Sequence, residues 1–186
     1  MVLMKLHERI ESRLHDFILA QPLFFVGTAP TASDGHINVS PKGMQGTFAI
    51  LDPLRVAYLD YTGSGAETHA HLRDNGRIVL MFCAFSGPPD IIRLHGRGRT
   101  ILPGSARFDE LLPRFGPPYP GLRSVIEVAV ERVSSSCGFS VPFMEYVGDR
   151  DLLRRHWERK GADQLPAYWE KKNSRSIDGL PALDPL

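Results

Sequence analysis

Apolar side chains recur at helical spacing over the first twenty residues, at Leu6, Ile10, Leu14 and Phe17 or Ile18. That spacing predicts an amphipathic helix over 3–20, closed by Pro22. The pattern then shortens. "LFFVGTA" (23–29) reads as a strand, and "SDGH" (33–36) as a tight turn, so 23–40 forms a hairpin. Strands follow at 47–51 and 54–61, separated by Asp52-Pro53. A loop beginning "TGSG" feeds a short helix that stops near Asn75-Gly76. "RIVLMFCAF" (77–85) is the most apolar run and reads as a central strand, and another spans 91–101. A short helix over 105–115, a Pro-rich turn, and a long β run over 123–141 come next. Asp149 is placed to cap a helix whose apolar face holds Leu152, Leu153, His156 and Trp157, and a further short helix is expected near 163–172. Helices interrupt the strands too rarely for a doubly wound α/β fold. The order predicts a mainly antiparallel β-barrel with flanking helices in one domain, 1–186, with a C-terminal helical and tail extension over 149–186.

Composition narrows the function classes. A chain of 186 residues with 42% hydrophobic and 23% charged residues is an ordinary globular domain, and a net charge of +1 offers no broad surface for nucleic acid. Cys83 and Cys137 form no CxxC motif and read as free thiols. No apolar run reaches membrane-spanning length, and charges break up the N-terminal segment, so a cytoplasmic location is expected.

Three stretches hold candidate chemistry. Lys42 stands between Pro41 and Gly43, a stiff corner that presents a cation. On the 91–101 strand, alternation puts Arg93, His95, Arg97 and Arg99 on one face and Ile92, Leu94, Gly96 and Gly98 on the other. The basic row is either a solvated outer face or an anion contact. "TGSGAET" has the small residues, hydroxyls and helix start of an anion cradle, and equally those of an ordinary helix-capping loop. His69 and His71, two apart, diverge on a helix and make a poor metal pair. No serine lies in a GxSxG elbow. Anion-binding parts without a nucleophile suit a protein whose cofactor brings the reactivity.

"LRVAYLDYTGSGAETHAHLRDNGRIVLMFCAF", followed by "IIRLHGRGR", resembles the core of the FMN-binding split-barrel superfamily, best known from the pyridoxamine 5'-phosphate oxidases. The likeness covers roughly 20–135. "NVSPKG", "GSGAETHAHL", "CGFSVPFM" and "NSRSIDGLP" are similar to a bacterial and fungal branch distinct from the vitamin B6 oxidases themselves. The resemblance implies an antiparallel six-stranded barrel with Greek-key character. It further implies a homodimer with FMN, or the deazaflavin F420, at the subunit interface, and hydride transfer to or from a small molecule. An F420-dependent reductase and a non-catalytic flavin- or haem-binding protein are the alternatives it leaves open. By position it assigns a basic phosphate contact to Arg55, the run along the flavin ring to Tyr61 and Thr62, and the loop opening to Ser64 and Gly65. The Lys that usually grips the FMN phosphate falls near Thr68, which has a hydroxyl but no charge. Lys42, with Arg55 or Arg93 beside it, is expected to supply that cation. The Arg-x-His of the B6 oxidases is absent, since Ser176 and Ile177 follow Arg175; Arg175 and Asp178 remain for another substrate or for the dimer.

Overall fold

The computed structural model describes residues 4–183. Residue 3 of the expected first helix and the last three residues of the expected tail extension lie outside them. Eight strands form one sheet: β1 (Lys5–His7), β2 (Leu23–Thr28), β3 (Asn38–Gly43), β4 (Phe48–Asp52), β5 (Arg55–Tyr61), β6 (Arg77–Cys83), β7 (Ile91–Ile101) and β8 (Leu122–Ser136). Their order is β3-β2-β6-β7-β8-β5-β4, with β1 added to β8, and every pairing is antiparallel. The sheet curls into an open half-barrel, a split barrel with eight strands where six were expected. The fifteen-residue β8 is its spine. It pairs with β7 along most of its length, with β5 through its first half and with β1 through its last residues.

Helix α1 (Ser12–Ala20) lies across the mouth of the curl. Its Leu14 and Ile18, with Ile10 just before it, pack on Phe24, Val26, Tyr58, Leu80 and Val128. Burying each of these aliphatic side chains contributes about 1.5–3 kcal/mol. The helix is shorter than the periodicity predicts because Lys5–His7 instead completes the edge of β8, where His7 Nε2 lies 2.9 Å from Ser135 Oγ. Pairing that edge satisfies backbone groups that a longer helix would leave open.

Helix α2 (Glu67–Asp74) packs on β7, where Leu72 sits against Gly98. Helix α3 (Ala106–Leu111), capped by Ser105, passes into a short 3-10 turn and covers the outer face of β5 and β8 with a second apolar cluster around Leu59, Ile101 and Val125. Helices α4 (Leu152–Lys160) and α5 (Leu165–Lys172) carry the chain back toward α2. Asp149 does not cap α4; its carboxylate accepts from the Gln45 N–H. The long β run ends at Ser136, five residues before the expected 141, and Gly138 then backs onto Asp90. The tail is not frayed. Residues 173–183 fold on the chain itself, and Ala182 and Leu180 join Ala66 and Ala70 in a third small cluster.

Two glycines on β7 decide how tightly the sheet can close. A Cβ on Gly96 would stand 2.0 Å from the Ala129 carbonyl oxygen, beside the bulge between His95 and Gly96. A backbone atom cannot rotate away. G96A is therefore expected to destabilise the fold by about 3 kcal/mol, the upper part of the overpacking range. An unchanged urea midpoint would show that β7 and β8 have room here.

Candidate functional site

Register assigns the inner face of the curl. Paired residues on neighbouring strands point the same way, so Lys42 opposite Phe24, Ser40 opposite Val26 and Asn38 opposite Thr28 all turn toward the core side of β3. On β5, Val56, Tyr58 and Asp60 share that inner face. Arg123, at the start of β8, reaches the same place.

These residues meet at Asp60, whose carboxylate is 1% exposed. Lys42 Nζ donates to Oδ1 at 2.8 Å, and Arg123 donates to Oδ2 through Nε at 2.8 Å and Nη2 at 2.7 Å. His69, on α2, lies 2.9 Å from Oδ2 through Nε2, and its Nδ1 lies 3.0 Å from Thr100 Oγ1. Burial alone would raise the Asp60 carboxyl, but Arg123, Lys42 and His69 outweigh it and hold it well below its ordinary 3.8. Burial also lowers the His69 imidazole against the opposing pull of Asp60, so the ring is neutral near pH 7. A neutral ring beside a carboxylate donates from Nε2, which leaves Nδ1 to accept from Thr100. With one anion and two cations, the cluster carries one net positive charge. Its accessible end is Lys42, whose side chain is 24% exposed and whose Nζ sits 5.9 Å from the centre of the Tyr58 ring.

The cluster is tied to the loop before α2. Arg123 Nη1 donates to the Gly65 carbonyl at 3.0 Å. The C-terminal helices hold the other end of that loop: Trp157 donates to the Thr62 carbonyl, Trp169 to the Thr62 hydroxyl at 2.8 Å, and Asn173 to the Gly63 carbonyl. Ser64 and Gly65 are left exposed. A second polar group continues along β3. Ser40 donates to Asn38 Oδ1, and Asn38 Nδ2 reaches Thr28 Oγ1 at 3.1 Å and Thr68 Oγ1 at 3.3 Å. Thr28 Oγ1 also lies 2.9 Å from His71 Nδ1. The other ring nitrogen of His71, Nε2, is buried without a partner among the described residues.

The eight residues assigned by resemblance are thus distributed unevenly. Lys42, Thr62, Ser64, Gly65 and Thr68 gather around the Asp60 cluster and the Asn38 row. Tyr61 belongs with Ala57 and Leu59 to the outer face of β5 and stacks flat on Tyr119, centroids 3.8 Å apart and planes at 2°. Arg55 is exposed at the other end of β5, roughly 20 Å along the strand from Tyr61, and lies 3.3 Å from Asp52. Arg93 belongs to the outer face of β7 and donates to Ser136 Oγ. Further along that row His95 is exposed, Arg97 donates to the Asn75 carbonyl, and Arg99, with Arg107 of α3, pairs with the buried Glu127. His69 and His71 diverge as their spacing requires, one to Asp60 and the other to Thr28.

Asp60 and Arg123 were not singled out in the sequence, and His69 was weighed only as half of a poor metal pair. A signal existed for the first: in "LRVAYLDY", strict alternation places Asp60 with Val56 and Tyr58, and a carboxylate on a core face demands a buried cation.

The split barrel with a cationic cluster on its inner edge places the protein in a class of small barrel proteins. The sequence profile of the pyridoxamine 5'-phosphate oxidase family matches residues 10–137, and the chain belongs to that family. It is 42% identical over 192 residues to the pyridoxamine 5'-phosphate oxidase family protein ustO of Aspergillus flavus, covering 95% of this chain and 77% of that protein. Among solved structures, HupZ of group A Streptococcus superposes with a TM-score of 0.53 at 24% identity, over 68% of this chain and 99% of that one. An FAD-binding protein from Mycobacterium smegmatis does so with a TM-score of 0.50 at 13% identity, over 73% and 96%. No described helix is long and apolar enough to cross a membrane.

Removing the charge of Asp60 leaves Lys42 and Arg123 without the anion they share. D60N is expected to cost about 3–5 kcal/mol in denaturant unfolding. A loss below about 1 kcal/mol would mean that Lys42 and Arg123 find other partners. A pH effect is expected at the tail, where His36 Nδ1 meets Asp178 Oδ1 at 2.6 Å. The hydrogen bond and charge of Asp178 raise the His36 imidazole above 6.5. Its contribution is therefore fully present below about pH 6.5 and is lost as pH rises through the folded value. Tryptic cleavage after Arg175 measures this as the wild-type rate over that of H36A, a ratio in which the protease's own pH response cancels. The ratio should lie below one in mild acid and approach one at alkaline pH. A flat ratio would dissociate the ion pair from the docking of the tail.

Proposed function

We propose that this chain is a flavin-dependent oxidoreductase that binds FMN along the inner face of β3 and the loop 62–68, as a homodimer with the cofactor at the subunit interface, and acts on a small molecule. The observation that carries this reading is the Asp60 cluster. Its single net positive charge emerges at Lys42, on the face of β3 that also carries Ser40, and its Arg123 is bonded to the exposed loop at Gly65. A phosphate needs such a combination of cation, hydroxyl and free backbone N–H. The family membership and the FAD-binding neighbour support a flavin as the anion.

In this reading Lys42 holds the phosphate and Asp60 positions Lys42. Arg123 locks the loop to the cluster through Gly65, and Trp169 and Asn173 fix its other end, so the cofactor meets a preorganised surface. The bound flavin supplies the hydride chemistry, which accounts for the lack of a nucleophile among the site residues. Arg175 turns its guanidinium to the Gly179 carbonyl of its own hairpin, which argues against a vitamin B6 phosphate as the substrate.

Native mass spectrometry after separate incubation with FMN and with F420 tests the reading: a dimer carrying two FMN is the expected species. One charge-assisted contact is worth about 1.5–3 kcal/mol, so K42A should weaken FMN at least about tenfold in a fluorescence titration. Uptake of F420 alone would change the cofactor. Failure to take up either, or FMN affinity indifferent to K42A, would remove the assignment.

A further inference from the structure

An opening beyond the Asp60 cluster is lined by none of the eight residues discussed above. It is a cavity of about 750 Å3 between the end of α1, the turn 43–47 and the segments 82–88 and 144–146. That volume falls within the range of small-molecule sites. Phe24, Phe48 and Phe82 line it and pack on one another with centroids 5.2–5.3 Å apart, and Phe17, Phe85 and Met144 extend the apolar wall.

The turn on its other side is rigid. Thr47 Oγ1 donates to the Gly43 and Met44 carbonyls, Met44 is held at φ 76°, and the Gln45 N–H is bonded to Asp149. The wall at 144–146 is pinned where the Met144 N–H donates to the Phe85 carbonyl. Glu145 is the one acidic side chain among the described residues lining the cavity, and no basic one joins it. A ring-bearing ligand gains contact with the phenylalanines, while an anion meets Glu145 without a counter-charge.

We propose that this cavity is a second binding site, for a neutral or cationic aromatic small molecule. The cavity opens one residue beyond Lys42, since Gly43 lines it. In the flavoprotein reading it is where the second reactant docks beside the cofactor. The site itself does not depend on that reading, and it is tested without flavin.

Nile red, a neutral ring system, and 1-anilinonaphthalene-8-sulfonate, an anionic one, are titrated into the flavin-free protein. Nile red is expected to saturate at one per chain. A20W, on the exposed last residue of α1 at the cavity wall, should weaken it at least tenfold with an unchanged unfolding midpoint. S86W, on the opposite wall, should do the same and serves if A20W misfolds. E145Q should tighten the anionic dye several-fold and leave Nile red unchanged.

The control is F143S, which removes an exposed ring that is not part of the lining. Loss of Nile red in F143S but not in A20W or S86W would put the dye on the surface and overturn the site. So would the absence of saturable binding. Binding that appears only on dilution would show a second copy of the chain filling the cavity, and competition by FMN would make the cavity the flavin's own; either result overturns a separate small-molecule site.

Discussion

A carboxylate taken out of water and placed among apolar side chains costs several kcal/mol, and the structure around Asp60 is arranged to offset that cost. Its partners come from distant parts of the chain: Lys42 from β3, His69 from α2 and Arg123 from β8. Arg123 stands on the central strand, but the other two lie on elements whose position the sheet alone would leave loose. β3 is an edge strand paired only with β2, and α2 rests on β7 mainly through a leucine against a glycine. One buried charge therefore fixes the edge of the barrel, the angle of the helix and, through Arg123 and Gly65, the loop between them.

The outer face follows the same logic with less at stake. Glu127 sits buried on β8 beneath α3 and binds Arg99 and Arg107 together, with Glu110 as the second acid on Arg107, so the last arginine of the basic row on β7 is taken up by the fold. The curl thus sorts its cations. Outside, Arg99 and Arg107 meet two acids, Glu127 and Glu110, whereas inside, Lys42 and Arg123 share Asp60 alone. That imbalance directs an anionic group to the inner edge.

Much of the architecture was legible in the amino-acid order. The apolar runs at 77–85 and 91–101, the turn at 33–36 and the loop-to-helix passage after Tyr61 all correspond to observed elements, because period and turn chemistry are local properties. Errors occur where a distant partner overrides local preference. Lys5–His7 follows the helical phase of α1 and yet pairs with β8, and the strand after Arg123 ends at Ser136 although its composition continues. At the site, Lys42 was conspicuous for its Pro-Gly setting, but its partner was not, because nothing in "YLDY" states which strand will face it. Pairing across register is a property of the sheet. The tail was equally opaque: Asp178 and Ile177 gain their meaning only from His36 and Glu67, more than a hundred residues earlier.

The chain contains two tryptophans, and both end on the same residue. Trp157 donates its indole N–H to the carbonyl of Thr62 and Trp169 to its hydroxyl. One ring is fully buried and the other half-buried, and each is hydrogen-bonded to the loop that leads from β5 into α2. The intrinsic ultraviolet emission of the protein is therefore a local signal. Release of either indole from Thr62 changes its surroundings, giving the loop an optical reporter without any added label.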